Sequence, residues 1–456
     1  MCNVEDQDLL PPSKAKNASR TCIKCKEVAQ IVLRADNCYC RSCFIAYFTH
    51  KFRATIGKSK LIRSNEKVLL AFSGGPRSSA MLYLVHEGLS ENIHKKLRFL
   101  PGVVFIDDGA ILQLSENERR NYLEFIRTTV SKTGFPLFCE SLGKIFPTNQ
   151  DTNIQSNLLS SDLSNTTRSD ATSSSNFDLD TLIKRFKNDE LKIVQVFEKL
   201  PNSTAKEDML HILRKKLIQQ IAEANGYTKV MFADCGTRLA VKILSDIAQG
   251  RGSSVAHDVT FADERNQAVT LVRPMREFLT KEVANYLTLK SIDYRTRLSL
   301  TTMKPVKSSI ERLTENFVTD LQASFPSTVN TICRTGDKLS VGDTSKIDAD
   351  AICPLCDSRI DTNNSLEGKT TSKTTSKICQ NTADSCCGEG DGSCNRIARI
   401  NLTAKEIEDR LCYGCRLIFH SNNWEMDDLP QFLIDAIEKQ LRRKRLKEEI
   451  EEFLLD

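Results

Sequence analysis

What this chain has little of narrows it first. No apolar run approaches the ~20 residues that span a bilayer, which excludes a helical membrane crossing. The opening residues Met1–Asp8 lack the basic-then-apolar pattern of a secretory leader, so the expected location is intracellular. Its 6 histidines form no pair at metal or triad spacing, and nothing resembles a nucleophile–histidine dyad. Net charge is only +5, which permits an RNA partner without arguing for one. No internal repeat stands out beyond a doubled Cys-x-x-Cys plan.

Cysteine, by contrast, is plentiful, with 17 residues. In a reducing compartment, clustered Cys-x-x-Cys pairs more often hold metal than form disulfides, and an odd count leaves a thiol unpaired. Cys22/Cys25 and Cys40/Cys43 are separated by 14 residues, a spacing that can set four thiolates around one zinc ion. Cys38 stands beside the second pair as an alternative ligand to Cys40. Cys353/Cys356 and Cys412/Cys415 repeat the half-sites over a longer gap, which loop-closure entropy tolerates. Cys379, Cys386, Cys387 and Cys394 lie within that gap and are read as passive thiols. Cys139 is read as a buried small hydrophobe, and Cys235, near Arg238, as a partly exposed thiol.

A length of 456 residues with 40% apolar and 27% charged residues suits a soluble protein of several domains. Residues 1–20 read as a disordered tail, and 21–60 as a zinc module followed by a basic, aromatic stretch. Residues 61–300 read as an α/β domain, with strands near Lys67–Phe72, Gly102–Ile106, Phe135–Ser141, Lys229–Ala233 and Ala268–Val272. Helices are expected over Ser78–Gly88, Glu116–Thr133, 205–224 and Ala240–Ala248. That alternation implies a doubly wound parallel sheet. Residues 147–178 are too polar to bury a core and read as a disordered insertion, as do 362–398. Residues 301–456 form a helical region around the second cysteine set, ending in a charged helix from Leu429 whose basic run Arg442–Lys447 reads as a solvated face.

The segment Lys67–Ser79 carries the chemistry: an apolar strand, Ser73-Gly74-Gly75, then Pro76, Arg77, Ser78, Ser79 and an apolar helix. Strand, glycine turn and helix N-terminus present backbone N–H groups to an anion. An ordinary strand-to-helix turn is the bland alternative. The order resembles the phosphate loop of the N-type ATP pyrophosphatases, which read Ser-Gly-Gly-x-Asp-Ser. Arg77 at the aspartate position can grip phosphate but cannot act as a base, which counts against ATP use.

With this loop between two cysteine modules, the chain resembles the cytoplasmic tRNA 2-thiolation proteins. Phe72–Ser79, Asp107-Asp108-Gly109 and Arg273–Glu277 carry the likeness, and the partner-subunit type, protein 2, matches best. The resemblance implies a pyrophosphatase-like α/β domain flanked by zinc modules. It implies a subunit required for 2-thiolation of the wobble uridine of tRNAs for lysine, glutamine and glutamate. The partner would be the catalytic protein 1, and sulfur would come from a thiocarboxylated ubiquitin-related modifier. Ser73, Gly74, Gly75, Arg77, Ser78 and Ser79 would hold an anion, and His50, Lys51, Arg53, Lys58 and Lys60 are candidate tRNA contacts. Catalytic members carry paired cysteines after the third strand; only Cys139 stands here, so no iron–sulfur cluster is expected. Two alternatives stay open: a self-sufficient tRNA-adenylating enzyme, and a zinc-dependent RNA-binding scaffold with a relic nucleotide domain.

Overall fold

Val68 and Leu70 point to one face of a strand and Leu69 to the other, and all three are fully buried, so the strand they form is covered on both sides. The computed structural model describes residues 21–34, 37–90, 96–146, 179–339, 351–360, 402, 404–419 and 424–451. The expected tail 1–20 and the expected insertions at 147–178 and 362–398 lie outside the described residues.

The chain begins with a small hairpin, β1 (Ile31–Arg34) and β2 (Asn37–Tyr39), and helix α1 (Arg41–Ser59). Then come β3 (Lys67–Ala71), α2 (Pro76–Leu89), β4 (Leu100–Asp107), α3 (Glu116–Ser131) and β5 (Leu137–Ser141). Helices α4 (Leu179–Lys199) and α5 (Ser203–Ala224) lead to β6 (Lys229–Met231), α6 (Gly236–Ala248) and α7 (Gly252–Val259). Strands β7 (Ala262–Asp263) and β8 (Thr270–Val272) precede α8 (Thr280–Lys290), α9 (Ile310–Ser324) and α10 (Thr328–Asp337). Short α11 (Ala404–Glu408) and α12 (Tyr413–Phe419) and the long α13 (Gln431–Glu451) close the described chain.

The main sheet runs β5-β4-β3-β6-β8-β7, parallel except for the edge strand β7. The chain winds outward from β3 through β4 and β5, then returns to β6 on the other side. The crevice at the carboxyl ends of β3 and β6 is therefore the topological switch point, where such sheets bind ligands. Helix starts explain themselves locally: Ser115 and Glu118 form a capping box for α3, and Asn202 caps α5 by accepting from the Ala205 amide at 2.8 Å. Helix α2 starts two residues before its expected place, at Pro76, whose fixed φ suits the first helical position.

One face of the sheet is covered by α1, α2, α3 and α8, with Phe44, Phe48, Phe52 and Tyr286 fully buried. Phe48 stacks on Tyr286 at 4.3 Å and meets Phe278 edge-on at 4.5 Å. The other face buries α5 together with Cys353, Leu355, Leu411, Cys415, Leu433 and Ile437. The second cysteine module and α13 thus pack into the α/β core. The basic run Arg442–Lys447 of α13 is half-buried to exposed, as the solvated-face reading expects, while Leu433, Ile437 and Leu441 earlier in the helix are buried.

Candidate functional site

The Ser-Gly-Gly turn sits at the carboxyl end of β3, on the rim of a cavity of about 580 Å³. Gly74 has φ +71°, and a Cβ there would lie 2.8 Å from both the Tyr122 hydroxyl and Ile126 Cδ1, so glycine is required. Of the residues expected to face an anion, Ser73, Gly75, Arg77 and Ser78 line the cavity, while Ser79 is buried behind it. Ser78 Oγ donates to the Gly75 carbonyl at 3.0 Å and accepts from the Ser73 amide at 3.2 Å. Ser79 Oγ donates to the Gly74 carbonyl at 3.4 Å. These hydroxyls fix the shape of the loop. Gly75, Pro76, Arg77 and Ser78 at the start of α2 line the cavity, and first-turn N–H groups have no helical partner. Arg77 lines the same cavity, and its side chain forms no hydrogen bond or ion pair among the described residues.

The carboxylates at the neighbouring strand end are taken. Asp107 accepts from Arg119 Nε at 2.9 Å, and the same guanidinium reaches Glu190 at 3.0 Å. Asp108 is bound by both Arg214 and Arg297. Burial pushes the Asp108 carboxyl up, but the two guanidiniums outweigh it and hold it below the usual range. Asp107 is pushed up by burial, with Arg119 opposing. Segment 293–301 supplies the covering arginines: the Arg295 amide donates to the Gly74 carbonyl at 3.0 Å, and Arg297 lies over the Tyr122 ring at 4.8 Å. No spacing in the sequence links Arg297 or Arg214 to Asp108. At the far side, burial pushes Glu207 up to about 7, although Ser309 donates to it at 3.0 Å.

The structure brings the paired cysteines together. The sulfurs of Cys22, Cys25, Cys40 and Cys43 all lie within 4.8 Å of one another, as do those of Cys353, Cys356, Cys412 and Cys415. Both groups use one plan. A knuckle turns at a residue with positive φ, Lys26 or Asp357, and the other pair sits at a helix start, α1 or α12. Four convergent thiolates suit a tetrahedral metal ion, and both groups can hold one. Cys38 lies in β2, outside the first group, which takes Cys40.

Other expectations move. Cys235 is fully buried at the start of α6, with its sulfur 3.6 Å from the Thr280 hydroxyl, so it is no exposed thiol. Arg238 turns to Glu311 at 2.5 Å. Cys139 is buried in β5, and burial raises its pKa well above the ordinary thiol value. Cys333 on α10, which sequence reading passed over, donates to the Gly236 carbonyl at 3.4 Å. Lys51 is drawn into the fold: it donates to the Glu277 carbonyl at 2.9 Å, pairs with Glu282 at 3.3 Å and lies over the Phe278 ring. Arg53 donates to the Thr49 carbonyl, while His50, Lys58 and Lys60 stay exposed on or just beyond α1. Among the described residues, no helix is long and apolar enough to cross a membrane.

A model of the cytoplasmic tRNA 2-thiolation protein 2 family matches residues 309–417, the stretch from α9 through the second cysteine module. Along its whole length the chain is 37% identical to cytoplasmic tRNA 2-thiolation protein 2 of Xenopus tropicalis, covering 100% of this chain and 99% of that one. The human protein of the same name is 34% identical over 95% of this chain and 93% of its own. Among solved structures, the U34-tRNA thiolase NcsA from Methanococcus maripaludis with its 4Fe–4S cluster is similar at a TM-score of 0.51, over 74% of this chain and 95% of that one. Identity there is 14%, so that likeness speaks to the fold alone. Two four-cysteine groups around a parallel sheet, with full-length relatives of one name, place this chain in the cytoplasmic tRNA 2-thiolation protein 2 family.

Proposed function

We propose that this chain is the noncatalytic partner subunit of a tRNA wobble-uridine thiolase. Its relatives' shared name supports the pathway. The observation that carries the noncatalytic role is the pairing of Asp108 with Arg214 and Arg297, beside an unpaired Arg77. A Mg-nucleotide site needs carboxylates free for the metal, and here the strand-end acids are neutralised by the chain's own guanidiniums. The loop and Arg77 retain a place for one anionic group, such as a phosphate of bound RNA.

The partner in this reading is the catalytic tRNA 2-thiolation protein 1. That chain activates the wobble uridine of tRNAs for lysine, glutamine and glutamate with ATP and receives sulfur from the ubiquitin-related modifier. Both cysteine groups hold zinc, which supplies structural cross-linking and no redox chemistry. His50, Lys58 and Lys60 remain available as phosphate contacts.

Reconstitution tests this. Thiolated tRNA is expected only when both chains are mixed with ATP, tRNA and a sulfur donor, and this chain alone should release no AMP. AMP release from tRNA and ATP by this chain alone, lost in Ser73→Ala, would establish the self-sufficient enzyme instead.

A further inference from the structure

The two cysteine groups share a plan but not surroundings. A divalent metal with four thiolates carries a net charge of about −2, and burying such a charge is costly unless a counter-ion is built in. The N-terminal group is open to solvent at Cys25, whose sulfur lies 3.6 Å from the Glu27 carboxylate, a neighbour of the wrong sign. In the C-terminal group Cys353, Cys412 and Cys415 are buried.

Arg251 stands against that buried group. Only 8% exposed, it donates through Nη1 to Cys415 Sγ at 3.4 Å, and through Nη2 to the Gly414 carbonyl at 3.0 Å and Asp208 at 3.2 Å. The seat is reciprocal. A Cβ on Gly414 would lie 2.6 Å from Arg251 Cγ, and one on Gly250, which has φ +69°, would lie 2.6 Å from the Tyr413 ring. The two glycines let the turn between α6 and α7 interlock with the Cys412-Tyr413-Gly414-Cys415 knuckle. No guanidinium or ammonium donates to a sulfur of the N-terminal group among the described residues.

We propose that Arg251 is the resident counter-ion of the C-terminal metal site, a positioning residue that holds its metal firmly and leaves the N-terminal site as the labile one. Its hydrogen bond to sulfur orients a ligand and offsets thiolate charge, the role outer partners play at metal centres. This rests on the reading of both groups as metal sites.

The zinc-loaded full chain, challenged with excess EDTA and followed by metal analysis of protein and filtrate, should release zinc in two phases. Cys25→Ser should abolish the fast phase and so assign it. Arg251→Gln should speed the slow phase by ~10- to 100-fold. Arg251→Lys, which keeps the charge but not the fork, should fall between. With cobalt as probe, Arg251→Lys should move the thiolate-to-metal absorption to lower energy at unchanged melting temperature, which a purely structural role would not do. If Arg251→Gln fails to fold, the lysine variant carries both readouts. Release of both metals at one rate, or a slow phase unmoved by Arg251→Lys, would overturn the proposal while leaving two metal sites standing. A chain that binds no metal would overturn both.

Discussion

Cys412→Ser should cost the chain the metal that its C-terminal cysteine group can hold and most of its soluble fold. Cys353 and Cys415 are fully buried in the same cluster as Leu213 and Leu217 of α5 and Val230 of β6. Losing the metal would therefore expose a module that forms one wall of the central core. A structural zinc contributes roughly 10–16 kcal/mol in small isolated fingers. Even a third of that is comparable with the ~5–15 kcal/mol by which whole domains are stable. The soluble yield and the zinc-to-protein ratio of the purified variant measure this. A soluble variant melting like wild type would mean that core packing holds the module without metal.

The second large effect belongs to Arg119→Met. Arg119 is 4% exposed and bridges Asp107 to Glu190, so its removal takes the ion-pair partner from Glu190 and leaves Asp107 only the longer contact to Arg297 at 3.9 Å. Breaking a buried pair in this way costs ~3–5 kcal/mol. The sign of the pH dependence follows. Asp107 already titrates above its ordinary 3.8 because it is buried, and losing Arg119 raises it further. A carboxyl whose folded pKa exceeds its unfolded one carries no penalty while both states are protonated, and is penalised as pH rises through that window. The stability gap between wild type and variant should thus be wide at neutral pH and narrow on acidification, as Asp107 takes up its proton above 3.8, read by urea unfolding. A gap that widens on acidification would contradict the assignment.

How much of this was legible in the chain depends on the range over which each signal acts. The strands, the glycine turn and α5 are written in local periodicity, and Lys67–Phe72 and residues 205–224 fall close to their observed places. Paired cysteines declare themselves because metal geometry restricts spacing. Helix α4 went unread because its amphipathic residues follow directly on a long polar stretch. Side-chain direction was the larger loss. Ser78 and Ser79 match a phosphate-loop pattern, yet their hydroxyls close on the loop itself. Lys51 looks like a surface cation in the sequence, but α8 carries Glu282 to it from 231 positions away. Arg297 reaches Asp108 across 189 positions, and Arg251 reaches Cys415 across 164. Such pairings depend on tertiary approach, which periodicity does not encode.

The most direct measurement is wobble-uridine thiolation in cells lacking this chain, read by the mobility of tRNA on a mercury-containing gel. The cells would be complemented with wild type or with Arg77→Ala. The account predicts that thiolation disappears without the chain, returns fully with wild type, and returns with Arg77→Ala weakened by no more than one lost phosphate contact, because the chain acts as a partner and not as the nucleotide-processing subunit. Thiolation that persists without the chain would contradict it.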